Sequence, residues 1–180
     1  MKNLNIAFAG LVVLIIALGC KKNDAQLAQS ETVSNTVTTT SQAPAITESG
    51  WNTFTDWNSS KHADSTVYST NIKTEAATAD AIQNGLVRIF KMNNNSETTS
   101  TKLPFEEKTG AISQFWYYQV SEGNIMILID VPGGNTNPAE KSLFNYVVLS
   151  GNAIKEIEKK GTTRGDLMSV SYDKLKELIK

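Results

Sequence analysis

The chain is poor in the residues that carry most recognisable chemistry: one cysteine, one histidine and four prolines in 180 residues. A single thiol excludes an internal disulfide, a CxxC redox pair and a cysteine metal cluster. A single histidine, His62, leaves no histidine pair for a zinc site. It lies in the polar stretch Asn58–Asp64, and no serine sits in a nucleophile elbow, so a Ser-His-Asp reading finds no footing. Charge of one sign is also missing: 17 basic residues face 18 acidic ones, for a net charge of −1. Nothing there steers the chain toward nucleic acid. Ser171-x-x-Lys174 and Lys108-Thr109-Gly110 imitate two β-lactamase motifs, but in reversed chain order and without a Ser-Asp-Asn element. A helix cap explains the first and a turn explains the second. No motif implies a cofactor, and none is expected.

One apolar run stands out against this background. Residues 6–19 are apolar, Lys2 precedes them, and Cys20 closes them, followed by Lys21 and Lys22. At ~1.5 Å per residue the run is short for a ~30 Å hydrocarbon core. A basic start, an apolar stretch and small residues before a break are the layout of a secretory signal. Ala17-Leu-Gly-Cys20 resembles a bacterial lipobox, which implies cleavage before Cys20 and lipidation of its thiol. One acyl chain anchors only marginally, at ~0.8 kcal/mol per buried methylene, and several chains on one cysteine hold durably. The expected partner is therefore a membrane, reached through Cys20. The expected location is the bacterial cell envelope, at the outer membrane.

Composition then divides the chain into a signal peptide (1–19), a lipidated tether (20–50) and a globular domain (51–180). Ser30–Ser41 is rich in Ser and Thr and lacks aromatics, so it buries too little apolar area to offset its ordering entropy. Beyond Trp51, turn residues punctuate short β-branched and aromatic runs that read as strands: 66–72, 86–92, 114–120, 125–131 and 143–149. Residues 115–120 and 125–131 flank Ser121-Glu-Gly-Asn124, the pattern of an antiparallel hairpin. Ile125, Ile127 and Ile129 alternate with Met126 and Leu128, so the strand is expected to be central and covered on both faces. Arg88 and Lys91 fall on opposite faces of 86–92, which suggests a strand near an edge. Thr74–Asn84 predicts a turn or two of helix ending at Gly85, and Ala153–Lys160 another. Ser171–Lys180 predicts a capped helix with a Tyr172, Leu175, Leu178, Ile179 stripe facing a sheet. The fold class expected is mainly β, an antiparallel sandwich-like single domain with a short C-terminal helix. Without disulfides it must be held by its core.

The candidate ligand-stacking residues are Trp51, Trp57, Trp116 and Tyr118, with Tyr117 beside them, because flat aromatic faces can stack on sugars. Core packing is the competing explanation, above all for Trp116. Asp130, Asn135, Asn137 and Glu140 crowd one loop with oxygen ligands of the type calcium takes, without EF-hand spacing. A hydrolase would need convergent carboxylates, for example Glu106 and Glu107 meeting Asp130.

Several segments resemble a group of Bacteroidetes lipoproteins and secreted proteins. They are Trp57 in its Trp/Asn/Ser setting, Ala81–Phe90, Lys102–Phe105, the Trp/Tyr hairpin, Phe144–Gly151 and Met168–Leu175. Members of that group close a strand with an Ile-Pro-Gly-Gly turn, where this chain has Leu149-Ser-Gly-Asn152. The resemblance implies a small β-rich, sandwich-like domain and carries no activity. The function expected is a lipid-anchored, non-catalytic interaction or structural module with a protein or glycan partner. Alternatives are a glycan-binding surface lipoprotein and a small hydrolase.

Overall fold

A computed structural model describes residues 45–93, 99–134 and 136–180. Cys20, the apolar run before it, the Ser/Thr-rich segment and Asn135 lie outside the described residues.

The domain is mainly β, with two antiparallel sheets in a sandwich-like arrangement. One sheet has the order β1 (Ile46–Glu48), β9 (Ser142–Leu149), β4 (Leu86–Asn93), β5 (Ser100–Lys102). The other has the order β2 (Asn58–His62), β3 (Ser65–Lys73), β8 (Asn124–Pro132), β7 (Ile112–Ser121), β6 (Phe105–Thr109). α1 (Ala79–Gln83) links β3 to β4, and α2 (Gly151–Lys159), α3 (Arg164–Ser169) and α4 (Tyr172–Leu178) follow β9.

Two apolar layers hold these elements. Between the sheets, Ile89, Phe144 and Val148 meet Trp116, Ile125, Ile127 and Ile129. On the other face of the first sheet, Leu86, Phe90, Val147 and Leu149 pack against Ala153, Ile154 and Ile157 of α2, Leu167 of α3 and Leu175 of α4. Each helix starts on a side-chain cap. Thr78, Ser150 and Ser171 accept from backbone amides, and Thr163 forms a reciprocal capping box with Asp166. The expected role of Ser171 and the inward face of α4 are both present, with Leu175 fully buried and Leu178 packed beside it.

The β7–β8 hairpin forms as expected, closing on Glu122–Gly123, where Gly123 takes φ 74°. Gly85 plays a different part from the expected helix cap. Asn84 caps α1, and a Cβ on Gly85 would collide with the Leu149 carbonyl and the Ala81 backbone. It is a close-approach glycine joining α1 to the first sheet.

Three expectations are corrected. β8 is central, between β3 and β7, but it is covered on one face only: Ile125, Ile127, Ile129 and Val131 are buried, and Met126, Leu128 and Asp130 are half-buried. β4 lies one strand in from the edge of its sheet, beside the short β5, yet it is an interior strand by burial, since both Arg88 and Lys91 are only 5 % exposed. The fold also begins before Trp51, because β1 pairs with β9 and Asn52 bridges to Phe144. β1 is clasped to the last helix as well. Glu48 accepts from Asn145 Nδ2 at 2.9 Å, from Lys176 Nζ at 2.8 Å and from the Tyr172 hydroxyl. Burial alone would raise the Glu48 carboxyl, and the Lys176, Tyr172 and Asn145 hydrogen bonds outweigh it, so its pKa lies below the ordinary value.

Candidate functional site

The aromatic candidates separate according to what already covers their rings. Trp116 is 1 % exposed. Phe105 stacks on it at 5.8 Å with 6° between the planes, and Lys91 Nζ sits 4.2 Å from its centroid. No ligand can reach that ring, so Trp116 is a core residue. Trp51 meets Tyr172 edge-on at 5.2 Å and packs into the helix layer. Tyr118 is half-buried and its hydroxyl donates to the Val87 carbonyl at 2.8 Å. Burial raises its pKa, against an opposing pull from Arg88.

Trp57 is different. It stands half-buried at the wall of a cleft of about 500 Å³ lined by Phe54, Thr55, Trp57, Thr136, Asn137 and Glu140. Two segments build the cleft. The first runs from the Asn52 bridge to the start of β2. There Trp57 Nε1 donates to the Phe54 carbonyl at 2.7 Å, which fixes the indole against its own chain. Phe144 backs the wall, with its ring 6.0 Å from those of both Phe54 and Trp57. The second segment is the β8–β9 connection. Gly133 takes φ 64° and its amide donates to the Asp64 carbonyl at 2.6 Å. Thr66 Oγ1 donates to the Gly134 carbonyl at 2.7 Å. Asn137 Oδ1 accepts from the Ala139 amide at 2.9 Å, and Ala139 itself is buried. The loop is therefore pinned at both ends while Thr136 and Glu140 stay exposed. An indole on one wall and amide, hydroxyl and carboxylate groups on the other suit a ligand with a flat apolar face and a polar rim.

A second cleft of about 320 Å³ shares Thr136 with the first and is lined also by Lys91 and Glu107. Their ion pair, at 2.9 Å, has the lysine side chain 5 % and the glutamate 32 % exposed.

Of the proposed calcium ligands, Asn137 and Glu140 share the Trp57 cleft, and Asp130 is not on its lining. Asp130 lies on the outer face of β8, where, after burial, its charge raises the pKa of Tyr117. Among the described residues no three His, Cys, Asp or Glu side chains group to hold a metal. The three carboxylates considered for hydrolysis do not converge. Glu107 is committed to Lys91, and the register Glu106–Phe115–Asp130 puts a phenyl ring between the other two, two strand spacings apart at roughly 10 Å. His62 is exposed on edge strand β2, with Nε2 3.1 Å from Ser60 Oγ. Ser171 caps α4, and Gly110, at φ 65°, turns the chain from β6 into β7. Both β-lactamase-like patterns are thus structural.

Phe54, Thr55 and Thr136 were not candidates in the sequence. The spacing Trp51, Phe54, Trp57 hints at the first, and nothing in the β8–β9 connection singles out Thr136 from its turn-forming neighbours. No family model, curated protein or solved structure matches the chain. Among the described residues no helix is long and apolar enough to cross a membrane.

Proposed function

We propose that this chain is a lipoprotein of the bacterial cell envelope, held at the outer membrane through Cys20, whose β domain is a non-catalytic interaction module. The Ala17-Leu-Gly-Cys20 ending of the apolar run supports the anchor, and the resemblance to Bacteroidetes lipoproteins agrees with it. Cys20→Ala is expected to abolish incorporation of labelled fatty acid and to release the protein from the membrane fraction. Unchanged labelling and fractionation of that variant would remove the anchor from the proposal.

The observation that carries the binding role is the meeting of Trp57 with Asn137 and Glu140 across one open cleft. That meeting favours a glycan as the partner. A pyranose ring offers C–H faces to an indole and hydroxyls to amide and carboxylate oxygens. Glycan-array binding followed by calorimetry on the best hit tests it. Trp57→Ala should weaken binding at least about tenfold, which is ~1.4 kcal/mol, and Asn137→Ala less. Binding untouched by Trp57→Ala would move the partner to another surface.

A further inference from the structure

The edge of β4 that faces β5 is only half covered. β5 pairs with Phe90–Met92, and the Leu103 amide reaches the Ile89 carbonyl. Over Leu86–Arg88 no strand among the described residues pairs on that side, and α3 packs against β4. Between them lies a cleft of about 220 Å³. Ile82, Leu86, Val87 and Val120 contribute apolar walls, and Tyr118 and Arg164 are the polar side chains on its lining.

Two arginines flank Tyr118 here without a carboxylate partner: Arg164 lines the cleft with Tyr118, and Arg88 lies behind Tyr118 with its guanidinium 5.9 Å from the Phe90 ring. Arg88 is 5 % exposed, and its Nε and Nη2 are buried without a hydrogen-bond partner. Its guanidinium touches the Tyr118 hydroxyl, a neutral group. Arg164, on the cleft lining, has its Nε buried and unpartnered, and one weak bond from Nη1 to the Gln83 carbonyl at 3.4 Å. Asp166 of α3 and Asp80 of α1 both have other partners. Asp166 accepts from the Thr163 amide and hydroxyl at 2.8 and 2.7 Å, and Asp80 from the Gly151 amide and Asn84 at 2.8 and 3.0 Å. Among the described residues neither arginine belongs to an ion pair. A buried lysine or carboxylate can shed its charge by shifting its pKa, but a guanidinium cannot. An unpaired buried cation is strongly destabilising, and a partner anion removes that penalty.

We propose that the cleft between β4, α3 and Tyr118 binds a carboxylate with a short apolar body, its head group pairing with Arg164 on the lining and offsetting the charge of Arg88 behind Tyr118. The planar fork of a guanidinium matches a carboxylate. The apolar walls suit a hydrocarbon body and offer no further donors for the extra oxygens of a phosphate. Met168, a flexible side chain 51 % exposed, completes the apolar lining. The site is separate from the Trp57 cleft and does not rest on the glycan reading.

Thermal unfolding of the full chain in sodium hexanoate, sodium phosphate and sodium chloride at equal ionic strength and pH 7 tests this. Hexanoate should raise the melting temperature saturably, by about 4 °C at ten times its dissociation constant. Arg164→Met and Arg88→Met should abolish the rise, and Trp57→Ala should leave it intact. If Arg88→Met does not fold, the half-buried Arg164 decides. No rise above chloride would overturn the proposal, leaving the guanidinium groups to trapped water. An equal rise in the folded arginine variants would overturn it too. A response to phosphate without one to hexanoate would overturn the carboxylate assignment.

Discussion

β4 and β8 make opposite use of their side chains. β8 is apolar along nearly its whole length, yet one face stays half-open, with Met126, Leu128 and Asp130 toward the outside. β4 carries two cations and is buried on both faces. Its Leu86, Arg88 and Phe90 face the helices, and Val87, Ile89 and Lys91 face the second sheet. The reason is layering. The first sheet has helices on one side and the second sheet on the other, while among the described residues no helix covers the outer face of the second. Burial of a strand therefore follows from how many layers flank its sheet. Lys91 tolerates the interior because Trp116 and Phe105 receive its charge and Glu107 pairs with it.

The largest effects expected are at the fully buried isoleucines. Ile127→Ala on β8 and Ile89→Ala on β4 should each lose about 2–5 kcal/mol from transfer and cavity terms, and denaturant midpoints at constant slope read the loss. Leu128→Ala, one residue away but on the outer face, should lose under about 1.5 kcal/mol, since its side chain is already half in water. Equal losses at Ile127 and Leu128 would mean that something covers the second sheet, and the contrast with β4 would disappear.

A smaller effect separates the charge in β4 from the methylenes that carry it. Glu107→Gln leaves Lys91 charged and buried without its anion, and should lose about 1–3 kcal/mol. Water reaches Glu107, which keeps the loss below that of a fully buried pair. Lys91→Met keeps the stem against Trp116 and removes the charge, so it should lose less than Glu107→Gln. If Lys91→Met is the worse variant by chemical denaturation, the cation itself stabilises β4 through the aromatic faces.

The smallest expected effect concerns pH. Glu48 has a folded-state pKa below its ordinary 4.5, so its contribution is present above that value and is lost as pH falls through the lower folded value. Lys176 is shifted up from 10.5 by the hydrogen bonds its ammonium makes to its partners, Glu48 first, so its contribution is complete below that value and fades as pH rises through the higher folded one. The stability gap between the wild type and Glu48→Gln should thus be constant across neutral pH and close in acid. A gap that persists at pH 2 would show that the clasp works through packing alone.

Much of this domain is local enough to be read along the chain. Five strands, their hairpin, the Ser171 cap and the inward stripe of α4 depend on residues within a few positions of one another, where periodicity, turn chemistry and capping act. β1, β2, β5 and β6 are another matter. β2 is Asn58-Ser-Ser-Lys-His62, exposed throughout, and is a strand because β3 pairs with it. Such segments have no pattern of their own. Arg88 and Lys91 suggest a strand near an edge because charge usually avoids the interior, although Leu86, Val87, Ile89 and Phe90 around them already signal burial.

By itself the sequence determined the strand-rich class, the turns, the helix caps and the ending at Cys20, since each is decided by neighbours in the chain. Only the tertiary structure decided which sheet is covered twice, that Trp116 belongs to the core, and that Trp57 meets Asn137 across some eighty residues of chain. It also decided that Arg88 contacts Tyr118, which lines one cleft with Arg164. Those outcomes depend on which layers stack on which, and layering is set by long-range apolar burial that no window along the chain contains.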